Sequence, residues 1–157
     1  MAAEAVLENE EITEFLAHLG KRLKTIKNGE AKYATLLSSI VYRDVNDHFE
    51  KESGPDGKWT HWSFLYTVQM EKRGKGGNKI LQDSGRLRNN FKPTNIKSSN
   101  EGPIWFNDAT TKNGFPYAFA HNEGDGNLPQ RQFMWFSGNA VEKMAEQTLQ
   151  FMIDEDI

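Results

Sequence analysis

The sequence holds one short cluster of side chains with the chemistry to bind a metal ion. The segment "HNEGD" places His121, Glu123 and Asp125 within five residues. Imidazole nitrogens and carboxylate oxygens are metal ligands, so a hard-metal site, and with it a metal-dependent nuclease, is one interpretation. The favoured interpretation is a solvated turn built on the asparagine and glycines of this segment, because no HExxH motif, EF-hand spacing or second histidine at a ligand interval accompanies it. We predict no metal site.

A second segment, "KILQDSGRLRNNF", carries two arginines around a leucine, directly after a Ser-Gly turn. The planar guanidinium groups of Arg86 and Arg88 suit bidentate pairing with carboxylate or phosphate. Asp83 and Ser84 are residue types that cap helices, so we predict a short helix over "GRLRNNF". The arginines then lie away from the core, where their partners are acidic groups of the same chain, acidic groups of another protein, or phosphates.

Nothing else in the chain has the spacing of an enzyme motif. Ser84-Gly85 lacks the glycine two positions earlier that a nucleophile elbow requires, and "GKGGNK" lacks the spacing of a P-loop. The chain contains no cysteine, which excludes disulfides, thiolate zinc sites and a cysteine nucleophile. We predict a protein that is not an enzyme, with no catalytic residues and no cofactor.

Charge is distributed unevenly along the 157 residues, whose net charge is -3. Residues 68–98 hold 8 basic and 2 acidic residues, whereas residues 1–67 have a net charge of -3 and residues 99–157 a net charge of -6. The overall charge argues against a generally nucleic-acid-binding or membrane-surface protein. The basic middle between acidic flanks favours either local binding of a polyanion or pairing with another copy of the chain.

The alternative function is therefore a small nucleic-acid-binding module. It would use the basic segment 72–92, with Trp59, Trp62 or Trp105 as stacking platforms for bases. The sequence disfavours this function mildly, because aromatic and basic residues are not interleaved along the predicted strands.

Two amphipathic helices are predicted in the first 52 residues. Residues 11–27 and about 30–51 carry apolar side chains at helical spacing, and Asn28-Gly29 between them favours an antiparallel hairpin. The predicted core-facing stripes are Ile12, Phe15, Leu16, Leu19, Leu23 and Ile26 on the first helix and Tyr33, Leu36, Leu37, Ile40, Val41, Val45 and Phe49 on the second.

After residue 90 the apolar periodicity shifts towards two, which predicts strands. The strand candidates are "NFKPTNIKS", "GPIWFND" and "RQFMWFS", whereas residues 58–79 fit a short strand or a helix and end in a glycine-rich loop. A last helix follows, capped by Ser137 or by Asn139 with Glu142 in the capping-box position. Its predicted stripe is Val141, Met144, Ala145, Leu149 and Met152.

These elements predict one α+β domain over residues 1–157, with a helical hairpin over 1–52 and a small antiparallel β-sheet with the C-terminal helix packed on it over 53–157. The residues predicted to build the core or the fold are Trp59, Leu81, Leu87, Phe91, Tyr117, Phe133 and Trp135.

Neither end of the sequence predicts membrane insertion. The segment "MAAEAVLENEEITEF" is acidic and lacks the basic start and apolar run of a signal peptide. No apolar stretch approaches the ~18 to 20 residues that cross a bilayer. We expect synthesis in a cytoplasm and no membrane partner.

Three segments occur in a distinctive order: "LQDSGRLRNNF" at residues 81–91, "YAFAHNEG" at 117–124 and "RQFMWFS" at 131–137, before the last helix. This order resembles the phage virion morphogenesis family of tail-completion proteins, of the Mu-like type. The upstream "GKW" at 57–59 also matches that family, and the resemblance covers roughly residues 50 to 153.

The resemblance implies a non-enzymatic virion protein that completes or terminates the tail and helps to join it to the head. It implies a six-fold ring of copies at the head-proximal end of the tail, in contact with the tail tube protein and with neck or connector proteins on the head side. DNA would pass through the lumen as cargo only. The expected location is the tail or neck of the virion, after synthesis in the bacterial host cytoplasm.

Because a head-to-tail ring joins unlike patches, we hypothesise that the basic middle of one copy faces the acidic flank of the next. The loops at 70–79 and 121–129 would become ordered only against a neighbour. The candidate interface residues are Arg73, Arg86, Arg88, Glu123, Asp125 and Arg131.

Overall fold

Two long helices and a C-terminal helix dominate the architecture, as the amphipathic runs in the sequence predict. The computed structural model describes residues 9–27, 31–91, 96–99 and 102–153. The elements in chain order are α1 (Asn9–Lys27), α2 (Ala31–Lys51), β1 (Ser53–Gly54), β2 (Gly57–Lys58), α3 (Phe64–Lys72), α4 (Arg86–Asn89), β3 (Ile96–Ser99), β4 (Gly102–Trp105), α5 (Tyr117–Glu123) and α6 (Gly138–Ile153). The predicted α+β class is confirmed.

Helix α2 runs through the centre of the fold. Val41, Val45 and Phe49, spaced four residues apart, are at most 1% exposed, so one face of the helix is completely covered. They pack in the main core, whose buried members are Val41, Val45, Phe49, Trp59, Ile80, Leu87, Phe91, Ala109, Ala118 and Phe133. The apolar stripe predicted for this helix is therefore confirmed. The predicted turn at residues 28–29 lies outside the described residues.

Helix α1 buries a different face from the one its sequence predicts. Phe15, Leu16 and Leu23 are 53%, 60% and 57% exposed, so for these three the prediction of a core-facing stripe was wrong. The side that meets the rest of the protein instead carries Arg22, which is buried with its guanidinium 4.7 Å from the centre of the Phe151 ring. His18, one turn earlier on the same side, lies 3.1 Å from the Met152 carbonyl oxygen.

Helix α6 packs against α1 and α2, and Trp105 of β4 packs against the core cluster that contains Phe151 of α6. Its N-terminus is capped by Ser137, whose hydroxyl accepts from the Ala140 amide at 3.2 Å, so the first of the two predicted caps is the one used. Asp44 of α2 fixes this cap by accepting from the Ser137 amide at 2.9 Å and from its hydroxyl at 2.5 Å.

The buried face of α6 also differs from its predicted stripe. Ala140 and Phe151 are buried, and Phe151 packs on Tyr33 with 5.4 Å between ring centres. Val141 and Leu149 are 51% and 66% exposed. Met144 of the predicted stripe packs against both core clusters, whereas Val141, Ala145 and Leu149 face outwards.

The strands form two separate antiparallel hairpins. β1 pairs with β2, with Ser53 opposite Lys58, and β3 pairs with β4, with Ile96 opposite Trp105. The prediction of a third strand over residues 131–137 was wrong, because this segment pairs with no strand in the described part of the chain. Its backbone amides are bonded elsewhere, because side chains of α2 and α5 accept from three of them.

Three short helices complete the described part of the chain. Ser63 caps α3 by accepting from the Tyr66 amide at 3.3 Å, which settles the ambiguous segment as helix over Phe64–Lys72. Helix α5 was not predicted, because its seven residues are too few for a periodic pattern. None of the described helices combines the length and apolar character needed to cross a bilayer.

Gly20 is an unusual residue for the middle of a helix. Glycine there costs about 0.5–1 kcal/mol relative to alanine, because it loses more backbone freedom on folding. A Cβ atom added to Gly20 would meet no atom within 4 Å. Nothing within the described chain therefore requires a glycine at this position.

Candidate functional site

The three segments that carry the family resemblance meet in one core. Leu87 and Phe91 come from the first segment, Ala118 from the second and Phe133 from the third, and all four are buried in the same cluster. The Phe133 ring lies 6.1 Å from that of Phe91. The three segments are therefore neighbours in the folded chain.

The predicted core residues are either buried or partly buried. Trp59, Leu87, Phe91 and Phe133 are buried, as predicted. Leu81 and Tyr117 are partly buried and pack against the core. Trp135 is partly buried too, and its indole ring stacks on the imidazole of His48 with 4.3 Å between ring centres.

The Ser-Gly turn before α4 depends on the backbone conformation of its glycine. Gly85 precedes the helix with φ +70°, in the left-handed region that favours glycine. The predicted caps Asp83 and Ser84 stand further back, although the Ser84 hydroxyl still accepts weakly from the Arg86 amide at 3.4 Å. This geometry turns Leu87 inwards and leaves Arg86 exposed.

Arg88 is bound within the chain. Its Nε donates to Asn46 Oδ1 at 2.5 Å and its Nη1 donates to Glu50 Oε1 at 2.5 Å, both on α2. Lys79 occupies the other oxygen of Glu50 at 2.6 Å. These two partners, Lys79 first and Arg88 second, hold the pKa of the Glu50 carboxyl below its usual value. Arg88 therefore fastens α4 to α2.

The other basic residues near α3 and α4 differ in whether an acidic side chain pairs with them. Lys75 pairs with Asp83 at 2.5 Å. Arg86 donates from Nη1 to the Thr110 carbonyl at 3.0 Å and forms no ion pair with the acidic side chains that the structure describes. Arg73 is exposed and belongs to no ion pair among the described residues. Of the three basic interface candidates in this region, Arg73 and Arg86 are thus the ones whose charge is available to a partner.

Asn122 of α5 organises the segment 131–137. Its side chain is buried, and Oδ1 accepts from the Phe133 amide at 3.1 Å and from the Met134 amide at 2.8 Å. Its Nδ2 donates to Glu123 Oε1 at 2.6 Å. One amide side chain thus satisfies two backbone donors that a strand ladder would otherwise have to satisfy.

Arg131 is buried and holds backbone groups together. Its Nε donates to the Thr60 carbonyl at 2.9 Å, and its Nη2 lies 3.4 Å from the His61 carbonyl. With 6% of its surface exposed, this interface candidate is placed inside the chain, where it fixes the segment before α3. Its sequence position gave no sign of this, because its partners lie 70 and 71 residues earlier.

The acidic candidates Glu123 and Asp125 are exposed at the end of α5. Asp125 forms a tight turn with Leu128, whose amide donates to the Asp125 carbonyl at 2.8 Å. Across the described ranges, no three histidine, aspartate or glutamate side chains lie close enough together to hold a metal ion. His121, Glu123 and Asp125 are therefore not assembled as a ligand set.

A cleft of about 860 Å³ opens between α3, residues 79–87, α5 and residues 127–131. Its walls are largely apolar or aromatic, and its polar groups include Asp83, Ser84 and His121. The buried Nδ1 of His121 has no hydrogen-bond partner in the described structure.

His121 makes the stability of the fold depend on pH. Burial first, and the nearby charge of Arg131 second, lower the pKa of His121 below its usual value of 6.5. The unfolded chain then binds more protons than the folded chain as the pH falls below about 6.5, so stability falls in that direction until the lowered pKa is passed.

We therefore expect the protein to lose stability between pH 7.5 and pH 5.5, and the variant His121→Gln to lose less over the same interval. Urea unfolding of both proteins at the two pH values measures the difference. Equal losses in the two proteins would show that His121 does not carry this dependence.

Large apolar side chains remain on the surface after the core is complete. Phe64 and Leu65 of α3 are 81% and 73% exposed, and Phe119 of α5 is 66% exposed. The outward faces of α1 and α6 add further exposed leucines and a valine. Several exposed apolar side chains on neighbouring helices are typical of a surface that another protein covers.

Comparison of the chain with protein-family models, with curated proteins and with solved structures finds no match.

Proposed function

We propose that this chain is a non-enzymatic virion protein of the tail-completion type. It assembles with copies of itself as a ring, six-fold by resemblance, at the head-proximal end of a phage tail. There it contacts the tail tube protein on one side and the neck or connector proteins on the other, and DNA passes through the lumen. The location that follows is the tail or neck of the virion.

The observation that supports this proposal best is the structural role of the three segments that carry the resemblance. Leu87, Arg88, Asn122, Arg131 and Phe133 all hold the fold together, by burial or by hydrogen bonds to the backbone and to α2. The same segments also present Asp83, Ser84 and His121 to the cleft, where the described residues form no metal-ligand cluster. Residues committed to a scaffold, with apolar side chains left on its surface, suit a protein whose work is assembly.

The alternative nucleic-acid-binding module receives less support. Lys75, Lys79 and Arg88 are paired with acidic residues of the same chain, which reduces the charge that the segment 72–92 offers to phosphates. Trp59, one of the candidate stacking platforms, is 7% exposed. A buried indole cannot stack on a base.

The experiment is light scattering behind a sizing column, at low and at high salt, with and without a DNA fragment. We expect an oligomer that survives high salt and does not elute with DNA, and electron microscopy of it should show a ring with a central opening. A monomer that elutes with DNA at low salt and releases it at high salt would overturn the proposal in favour of the alternative.

The basic interface candidates are tested by charge reversal. Arg73→Glu and Arg86→Glu change exposed groups that pair with no acidic side chain among the described residues, so we expect weaker assembly with an unchanged fold. Lys112→Glu, on another exposed loop, is the matched control. Arg88→Glu is unsuitable, because it would place a carboxylate beside Glu50 and disturb the fold itself. Assembly unchanged in both test variants would remove these arginines from the interface.

A further inference from the structure

Two outward helix faces share a common layout. The α1 face consists of Leu16, Gly20 and Leu23, and the α6 face consists of Val141, Ala145 and Leu149. All six residues are exposed. In each face a small residue, Gly20 or Ala145, lies about one helical turn from a larger apolar residue on either side. Each face is therefore a short apolar row with a notch at the small residue.

Packing within the chain does not account for these faces. Helix α1 contacts the rest of the protein through residues that include His18, Arg22 and Ile26. Helix α6 does so through residues that include Ala140, Met144 and Phe151. The apolar rows lie to the side of those contacts. Gly20 in particular has no neighbour that would exclude a side chain, although alanine would favour the helix more.

The two notched rows fit each other. Two helices approach closely where small residues face one another, and the larger residues on either side then pack into the grooves of the partner helix. A crossing of α1 and α6 at Gly20 and Ala145 would place Leu16 and Leu23 beside Val141 and Leu149. Gly20 would then be explained by the close approach of a second backbone.

The charges beside the two rows are complementary. Lys24 follows the α1 face, whereas Glu142 and Glu146 lie beside the α6 face. All three are exposed, and none takes part in an ion pair within the described residues. Opposite charges at the rim of an apolar contact favour one partner over others and fix its orientation.

We propose that the α1 face of one copy of this chain packs against the α6 face of a second copy. Both halves of the complementary pair are present on one chain, which is why the occupant is a second copy and not an unrelated protein. The inference rests on the self-assembly in the proposed function and names the surfaces that carry it. Because the two faces are unlike, the contact joins different patches of the two copies.

The absence of cysteine from the sequence allows a direct test. Cysteines are placed at the rim, because a side chain added at Gly20 or Ala145 would itself fill the notch. Lys24→Cys and Glu142→Cys, both at exposed positions, are purified separately, reduced, mixed and oxidised. We expect a covalent dimer to form in the mixture at least about tenfold faster than with either variant alone, because the contact raises the local thiol concentration. The control mixture is Glu14→Cys with Lys143→Cys, two exposed positions on other sides of the same helices.

Equal rates in the test and control mixtures would overturn the pairing. A ring seen by microscopy without the specific cross-link would retain the proposed function and reject these surfaces. The specific cross-link without a ring would retain the surfaces and reject the ring.

A second variant separates association from folding. Gly20→Ala should raise the melting temperature of the dilute protein, since alanine favours the helix. The same methyl group would fill the notch and weaken association about tenfold or more, as overpacking does. A stabilised variant that assembles as well as the original chain would overturn the proposed crossing at Gly20.

Discussion

Replacing Phe133 by alanine is expected to lower the free energy of unfolding by about 3–5 kcal/mol, the usual range for a large aromatic side chain lost from a core. Phe133 has 0% of its surface exposed, and its ring lies 5.4 Å from Phe49 and 6.1 Å from Phe91. It joins the last of the three resembling segments to α2 and to the segment after α4. The cavity left by its removal would lie where these parts meet.

The matched control is Phe119→Ala, the same substitution on a side chain that is 66% exposed. We expect that change to stay within about 0.5 kcal/mol in the unassembled protein, as surface substitutions do. Urea unfolding of both variants at low protein concentration gives the comparison. A Phe133→Ala variant as stable as Phe119→Ala would contradict the central place given to this ring.

The second large effect is expected from Asn122→Ala. The substitution removes the oxygen that accepts from the amides of Phe133 and Met134, and a buried donor left without an acceptor costs about 1–3 kcal/mol. For the two donors together we expect a loss of roughly 2–4 kcal/mol. The measurement is again urea unfolding, with an unchanged dependence on urea concentration showing that the folded state is still compact.

Asn127→Ala serves as the control, because Asn127 is exposed at the cleft and forms none of these bonds. If Asn122→Ala lowered the free energy of unfolding no more than this control, water or a rearranged backbone would have to accept from the two amides. Asn122 would then not determine the backbone conformation of residues 131–137.

The periodicity of the sequence predicted which residues share a helix face, and it did so correctly for all three long helices. It predicted the buried face only for α2, which is covered along its whole apolar stripe. For α1 and α6 the predicted stripe is divided, since Ile26 and Met144 pack against the core whereas the larger part of each stripe is exposed. Spacing alone shows that a face is apolar, and it does not show whether the cover comes from the same chain or from another.

The strand predicted over 131–137 failed for a physical reason that lies far away in the sequence. Asp44 accepts from the Ser137 amide across 93 residues, and Asn122 of the unpredicted α5 accepts from two others. An apolar run adopts a strand when a neighbouring strand can accept from its amides. Here side chains supply the acceptors, which a local pattern cannot reveal.

The candidate site was predicted in part. The core candidates that the sequence indicated in the three segments are buried or partly buried. The sequence could not distinguish Arg86 from Arg88, because only the position of Glu50 and Asn46 on α2 decides that Arg88 is bound within the chain. It placed Arg131 at an interface, whereas the guanidinium is buried against the backbone of Thr60 and His61.

The long-range bonds to residues 131–137 also determine when this protein can fold during its synthesis. The core side of α2 is complete only when Phe133 packs on Phe49 and when His48 bonds to the Phe133 carbonyl at 3.1 Å. Both contacts wait until the ribosome has released more than eighty further residues. The part of the α2 core face that Phe133 covers thus stays open until the segment at 131–137 appears. Ribosome-bound fragments that end before residue 131 should therefore be cut readily by protease.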